Sequence, residues 1–286
     1  MLKQRLIFGT LMTLFFTGVV IFDGWLDGSL TASAADNKAV QGTILCVLVA
    51  ILVIPAQIEL SKLAAARGIN IFTTLTTIIS ILFAGSWYLF QFVRFEREVF
   101  LILLSALSLL GLLLAQYIRY GTNGVLANCG ASCFSIMYLG MLSSFVPAIR
   151  MEYGVWPLLM FIFVVKFSDI GAYIIGTLFG KHQFSPKISP KKSWEGMAGA
   201  VTFGVLTALL FGRVFGVMNC KSAAVFGIGF AFIGQFGDLA ESLIKRDTGQ
   251  KDSSSSVPGF GGMLDVIDSP LAAAPFAYIF FRFIGL

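Results

Sequence analysis

The sequence predicts an all-α, polytopic integral membrane protein of about nine transmembrane helices, with its N-terminus in the cytoplasm, and four observations predict it. Hydrophobic residues make up 57% of the 286 positions and charged residues only 12%, well below the roughly 25% charge of a soluble domain. Mean hydropathy is +0.87. Apolar runs recur at about the 17–25 residues that one crossing requires. Lys and Arg collect on alternate connections between those runs, as the positive-inside rule demands. The net charge of +5 sits in these short connections rather than along one soluble face, so it predicts topology and no nucleic-acid partner.

Taken in order, the expected spans are 6–22, 40–60, 71–92, 98–116, 124–148, 153–178, 196–218, 222–240 and 263–284. The first follows Lys3 and Arg5 and mimics a secretory signal, with Ala32-Ser33-Ala34-Ala35 as a small-residue patch. That patch lies well past the apolar run, and Asp23 and Asp27 intervene, so a retained first span is expected. With the N-terminus inside, the inner connections carry twelve Lys and Arg residues and the outer ones seven. Residues 1–150 are expected to form a scaffold of helices, in which Glu59, beside Pro55 and Gln57, is the exceptional intramembrane charge. Residues 151–286 are expected to form the catalytic region, with cytoplasmic loops at 179–195 and 241–262.

Small residues at a spacing of four, Gly196, Ala200 and Gly204, and Gly176 with Gly180, allow helices to approach closely. Cys46, Cys129, Cys133 and Cys220 form no CxxC pair and are expected as free thiols.

Charge enters the membrane in the second half. Lys166 and Asp169, three apart, share a helix face and can pair with each other. The following connection, from Gly180 to Gly196, holds Lys181, Lys187, Lys191 and Lys192 with Pro186, Pro190 and Trp194. Lysines on prolines that stiffen the loop suit phosphate contact, beyond what the positive-inside rule needs. His182 has no second ligand at metal spacing and is expected to be interfacial.

The densest constellation runs from Asp238 to Asp268. Asp265 and Asp268 stand three apart on a helix expected from Gly262, and Asp238 and Glu241 repeat that spacing at the end of the preceding span. Such pairs grip one hard cation, or two that share a phosphate. Lys245, Arg246 and Lys251 add phosphate-seeking charge. Carboxylates at that depth mark a functional site, and the same carboxylates also suit an ion or proton pathway. Gly261 and Gly262 allow close approach to a phosphate or form a plain turn into the last span.

The run Ser242-x-Ile244-Lys245-Arg246, four residues, Lys251-Asp252-x-Ser254, then Val257-Pro258-x-Phe260-Gly261-Gly262-Met263-x-Asp265-Val266-Ile267-Asp268 resembles the signature of phosphatidate cytidylyltransferases, or CDP-diglyceride synthases. Asp169-Ile170-Gly171-Ala172-Tyr173, Ser189 to Gly196 and Gln235-x-Gly237-Asp238-Leu239-x-Glu241-Ser242 are similar to further stretches of that family, in the same order. The likeness is specific over about residues 166–270. Phe260 stands where the family usually has His, and Val266 where it has Arg.

The resemblance implies transfer of CMP from CTP to phosphatidic acid, giving CDP-diacylglycerol and pyrophosphate, with Mg2+ and a second cation as an option. On this reading Asp238, Asp265 and Asp268 hold the metal and act in catalysis with Lys245 and Arg246. Lys191, Lys192, Lys251, Ser242, Gly261 and Gly262 meet phosphates, and Asp169, Glu195, Glu241 and Asp252 support them. It further implies membrane lipid as the environment, a homodimer, and an active site on the cytoplasmic side of the inner (plasma) membrane. Two other readings stand beside it: a carboxylate-based membrane transporter, and a non-catalytic relative that binds lipid or nucleotide, prompted by Phe260 and Val266.

Overall fold

The structure is a computed structural model that describes residues 2–30, 37–93, 96–257, 259 and 261–286, with side chains from Ile7 onward. The Ala32–Ala35 patch, the side chains of Lys3 and Arg5, Arg94, Pro258 and the Phe260 departure lie outside the described residues. Helices α1 (Leu2–Leu26), α2 (Thr43–Ala65), α3 (Thr73–Ala84), α4 (Ser86–Leu89), α5 (Arg97–Tyr120) and α6 (Val125–Ser135) come first. After a π-helical stretch, Ile136–Met141, follow α7 (Leu142–Tyr153), α8 (Val155–Phe179), α9 (Trp194–Val214), α10 (Cys220–Asp247) and α11 (Met263–Phe283).

Among the described residues eight helices are long and apolar enough to cross a membrane, with α6, the π stretch and α7 counting as one. The protein is an integral membrane protein. The expected third span, 71–92, is instead two helices, the first of 12 residues. At 1.5 Å per residue that is about 18 Å, short of the roughly 30 Å hydrocarbon core. Gly85 divides α3 from α4, and its amide still bonds to the carbonyl of Ile81 at 2.9 Å. The remaining spans fall within a few residues of expectation; α10 runs on to Asp247, so Glu241, Lys245 and Arg246 are helical rather than in a loop.

The chain divides into two compact units: residues 1–151 with 248–266, and residues 152–247 with 267–286. In the first, α3 packs on α2 and on the π stretch, and a core of Phe72, Ile79, Phe83, Leu112, Cys129 and Ile136 fills the space between helices. Arg150, fully buried, bonds Asp27 at 2.8 Å and lies 3.2 Å from Asp23. Those carboxylates in turn accept the amides of Gly42 (3.0 Å) and Ile44 (2.8 Å), so one cation fixes the end of α1, the start of α2 and the end of α7. A buried guanidinium in an apolar setting is tolerated only with such partners.

In the second unit α9 lies between α8 and α10. A Cβ added to Gly199 would stand 2.5 Å from the carbonyl oxygen of Gly171, and one on Gly204 would stand 2.9 Å from that of Gly227. Only glycine permits backbones this close, which is the packing logic of small residues in membranes.

Candidate functional site

The carboxylates of the second unit come together because α10 and α11 approach at Gly237. A Cβ there would meet Ala272 Cβ at 2.9 Å and Ser269 Cα at 3.0 Å. The next residue along α10 is Asp238, and Asp268 precedes Ser269 on α11. Ligand atoms of Asp238, Glu241 and Asp268 consequently lie within 4.8 Å of one another. Glu241 is fully buried and Asp268 nearly so. The family resemblance implies a metal role for Asp238 and Asp268 and only a supporting one for Glu241, which joins them in this trio. Its spacing of three from Asp238 on one helix face accounts for that.

Cations stand against these acids. Lys192 Nζ bonds Asp238 at 2.6 Å and the side-chain oxygen of Gln235 at 2.8 Å. Lys245, one turn beyond Glu241, donates to it. Lys166 lies 4.0 Å from Asp169, whose carboxylate accepts the Gln235 amide at 3.0 Å. Three lysines thus face Asp169, Asp238 and Glu241, and Asp268 is a fourth carboxylate in the same unit. By formal charge that is four carboxylates to three lysines, with Asp169 and Asp238 only part-buried. Clustered carboxylate oxygens this close fit a hard divalent cation such as Mg2+.

The connection between α8 and α9 is folded back on α10. Lys192 bridges to it, as above, and Arg246 Nε donates to the carbonyl of Ile188 at 3.2 Å. Within the connection, Glu195 accepts the amides of Lys181 (3.1 Å) and His182 (3.2 Å), and meets the His182 ring at 2.6 Å. Ser193 caps α9 by accepting the Gly196 amide at 3.1 Å. Glu195 therefore fixes the loop rather than reaching the carboxylate group. Lys191 is exposed on the same loop, and Ser242 is buried on α10 four residues after Asp238.

Asp265 behaves differently from Asp268. Its Oδ2 accepts the amides of Gly262 (2.7 Å) and Ser253 (3.0 Å) and the Ser253 hydroxyl (2.7 Å). It is the reciprocal half of a capping box, since a carboxylate at the third helical position satisfies the amide of the residue that opens the helix. Asp265 belongs to the first unit, with Lys251, Asp252, Gly261 and Gly262; Lys251 and Asp252 line an open cleft there.

Glu59, the exceptional intramembrane charge of the expected scaffold, has a definite structural role. Its carboxylate accepts the hydroxyls of Ser253 (3.0 Å), Ser254 (2.7 Å) and Ser256 (2.8 Å) and the amides of Met263 (3.0 Å) and Leu264 (2.9 Å). With Asp265 it satisfies the first amides of α11, which have no partner within the helix. A side chain on Gly262 would overlap both the Glu59 carboxylate and Ser253. The signal that marks Glu59 is its depth in an apolar run, where an ionised group persists only with dedicated donors.

A family model described as "Cytidylyltransferase family" matches residues 3–284. The chain is 35% identical over 209 residues to a phosphatidate cytidylyltransferase of Haemophilus influenzae, covering 66% of this chain and 71% of that protein. It is 32% identical over 185 residues to that of Thermotoga maritima, covering 63% and 68%. With that of Mycobacterium bovis the identity is 37% over 156 residues, or 54% of this chain and 51% of the relative. The aligned part thus spans about half the length of the mycobacterial protein.

Proposed function

The chain belongs to the cytidylyltransferase family, and on that premise we propose that it transfers CMP from CTP to phosphatidic acid, releasing pyrophosphate. The observation that carries the reading is the Asp238, Glu241 and Asp268 trio with Lys192 and Lys245 set against it. The second pKa of a phosphate monoester is about 6, so at neutral pH the lipid phosphate is largely dianionic and attacks the α-phosphorus of CTP itself. No protein nucleophile is required. The protein must instead hold two anions together, align them and neutralise the departing pyrophosphate.

Each residue has a place in that task. Asp238, Glu241 and Asp268 would hold Mg2+, and Asp265 is kept as a metal ligand on the family likeness alone. The ion supplies positive charge to the phosphates where negative charge develops. Lys192 and Lys245 are already fixed at the carboxylates and exchange them for substrate phosphates. Arg246 holds the 180–193 loop and adds charge, and Lys191, Lys251, Ser242 and the turn at Gly261 offer donors to phosphate oxygens. Asp169 orients Lys192 through Gln235. Placement at the cytoplasmic face of the inner (plasma) membrane belongs to the same proposal, and it counts α3 with α4 as one crossing. The homodimer rests on the family likeness alone. The transporter and non-catalytic readings are not favoured, because the family model spans residues 3–284 and the relatives compared above are phosphatidate cytidylyltransferases.

The test is pyrophosphate release by purified protein in detergent. Release that requires CTP, phosphatidic acid and magnesium together, and is lost in Asp268→Asn, supports the reading. Folded protein that binds CTP but releases nothing sinks it.

A further inference from the structure

The first unit contains an open cleft of about 430 Å³ lined by Lys62, Leu63 and the segment from Gln250 to Ser255. Its two ammonium groups come from places far apart in sequence: Lys62 from the last turn of α2, and Lys251 from the polar run after α10. Both are exposed, and among the described residues neither has a carboxylate partner. The contrast with Lys166, Lys192 and Lys245, each against an acid, is informative. Two lysines kept near each other without neutralisation repel, and a bound anion relieves that cost. The one acid in the lining, Asp252, leaves the cleft with a net positive charge.

The cleft is also built rather than incidental. Glu59 lies one turn before Lys62 on α2, and its carboxylate takes the hydroxyls of Ser253, Ser254 and Ser256. Ser253 is held a second time, through its amide and hydroxyl, by Asp265. The segment that carries Lys251 is therefore fixed to the helix that carries Lys62, so both lysines start from anchored backbone. Preorganised cations around a solvent-open volume of this size suit a phosphate or pyrophosphate group.

We propose that Lys62 and Lys251 are the two cationic walls of a phosphate-binding cleft, positioned by Glu59 through the serine run, and that Lys62 is a substrate-binding residue of this protein. The inference rests on the proposed cytidylyltransferase reading for the identity of its ligand. Two sources share the chemistry, the triphosphate of CTP and the head-group phosphate of phosphatidic acid. A compact phosphate contact by one lysine contributes enough that its loss weakens binding roughly tenfold to a hundredfold.

The experiment measures binding to the full chain in detergent or nanodiscs, in wild type, Lys62→Gln, Lys62→Arg and Lys251→Gln, each checked for an unchanged thermal midpoint. The probes are pyrophosphate, CTP, and nanodiscs holding phosphatidic acid against nanodiscs holding phosphatidylcholine. Weaker pyrophosphate binding in both Gln variants, with Lys62→Arg near wild type, upholds the cleft. Parallel loss for CTP assigns it to the nucleotide, and parallel loss for phosphatidic acid assigns it to the lipid. Wild-type affinity for all probes in Lys62→Gln overturns the proposal, as does wild-type protein that binds none of them. Pyrophosphate binding needs no turnover, so an enzyme that fails to release pyrophosphate from CTP while its cleft still loses affinity in Lys62→Gln would refute the reaction and leave the cleft standing.

Discussion

The carboxylate of Glu59 accepts the backbone amide of Leu264 at 2.9 Å, although 205 residues separate them. One intramembrane acid on α2 thereby closes the first turn of the helix that carries Asp265 and Asp268. Removing it leaves two amides and three serine hydroxyls to find other partners. Glu59→Ala is expected to cost roughly 2–4 kcal/mol, since charge-assisted bonds are lost and buried donors stranded. Turnover should fall at least about tenfold on the same argument. The check is the thermal midpoint in detergent, with limited proteolysis of residues 248–262; a wild-type midpoint and cleavage pattern would show that the Glu59 bonds do not hold the loop.

Gly262 has no space for a methyl group, because Ser253 and the Glu59 carboxylate occupy it. Gly229, in the middle of α10, has nothing within 4 Å of an added Cβ. Gly262→Ala is therefore expected to lose most activity, while Gly229→Ala stays active and gains up to about 1 kcal/mol from helix propensity. Equal activity in the two variants would contradict the packing described for the start of α11.

Glu241 and Asp265 are separable by magnesium response and stability measured together. Glu241→Gln removes a charge from the trio around Asp268 and is expected to raise the magnesium concentration for half-maximal rate about tenfold or more. Asp265→Asn should raise it too and, because Asp265 caps α11, should also lower stability by about 1 kcal/mol. A loss of stability with an unchanged magnesium requirement would remove Asp265 from the metal set and leave it as a capping residue.

Arg150 is buried against Asp23 and Asp27. Replacing it with Met leaves two carboxylates in an apolar setting, a change that costs about 3–5 kcal/mol. The expected outcome is low yield and a depressed thermal midpoint. Recovery of part of that loss in Arg150→Met combined with Asp23→Asn and Asp27→Asn would confirm that stranded charge is the cause. No recovery would point to lost packing of the guanidinium instead.

What the sequence determined by itself follows from local rules. Length and hydropathy of apolar runs settle which segments become membrane helices, since a backbone in hydrocarbon must satisfy its own hydrogen bonds. The spacing of three and four residues places Asp238, Glu241, Ser242 and Lys245 on one helix face without reference to the rest of the chain. The motif order from Asp169 to Asp268 carried the family likeness. The tertiary structure decided the rest, because those choices depend on distant partners. Nothing local assigns Lys192 to Asp238 or brings Asp268 to Asp238 and Glu241; the approach of α10 and α11 at Gly237 does. The break at Gly85 is invisible to hydropathy, which sums a window without regard to whether the helix is continuous. Glu59 lies on a helix that local sequence marks only as scaffold, and its role exists only once the serine run folds back onto it. A charge in an apolar run announces that a partner must exist, but only folding brings that partner within hydrogen-bonding distance.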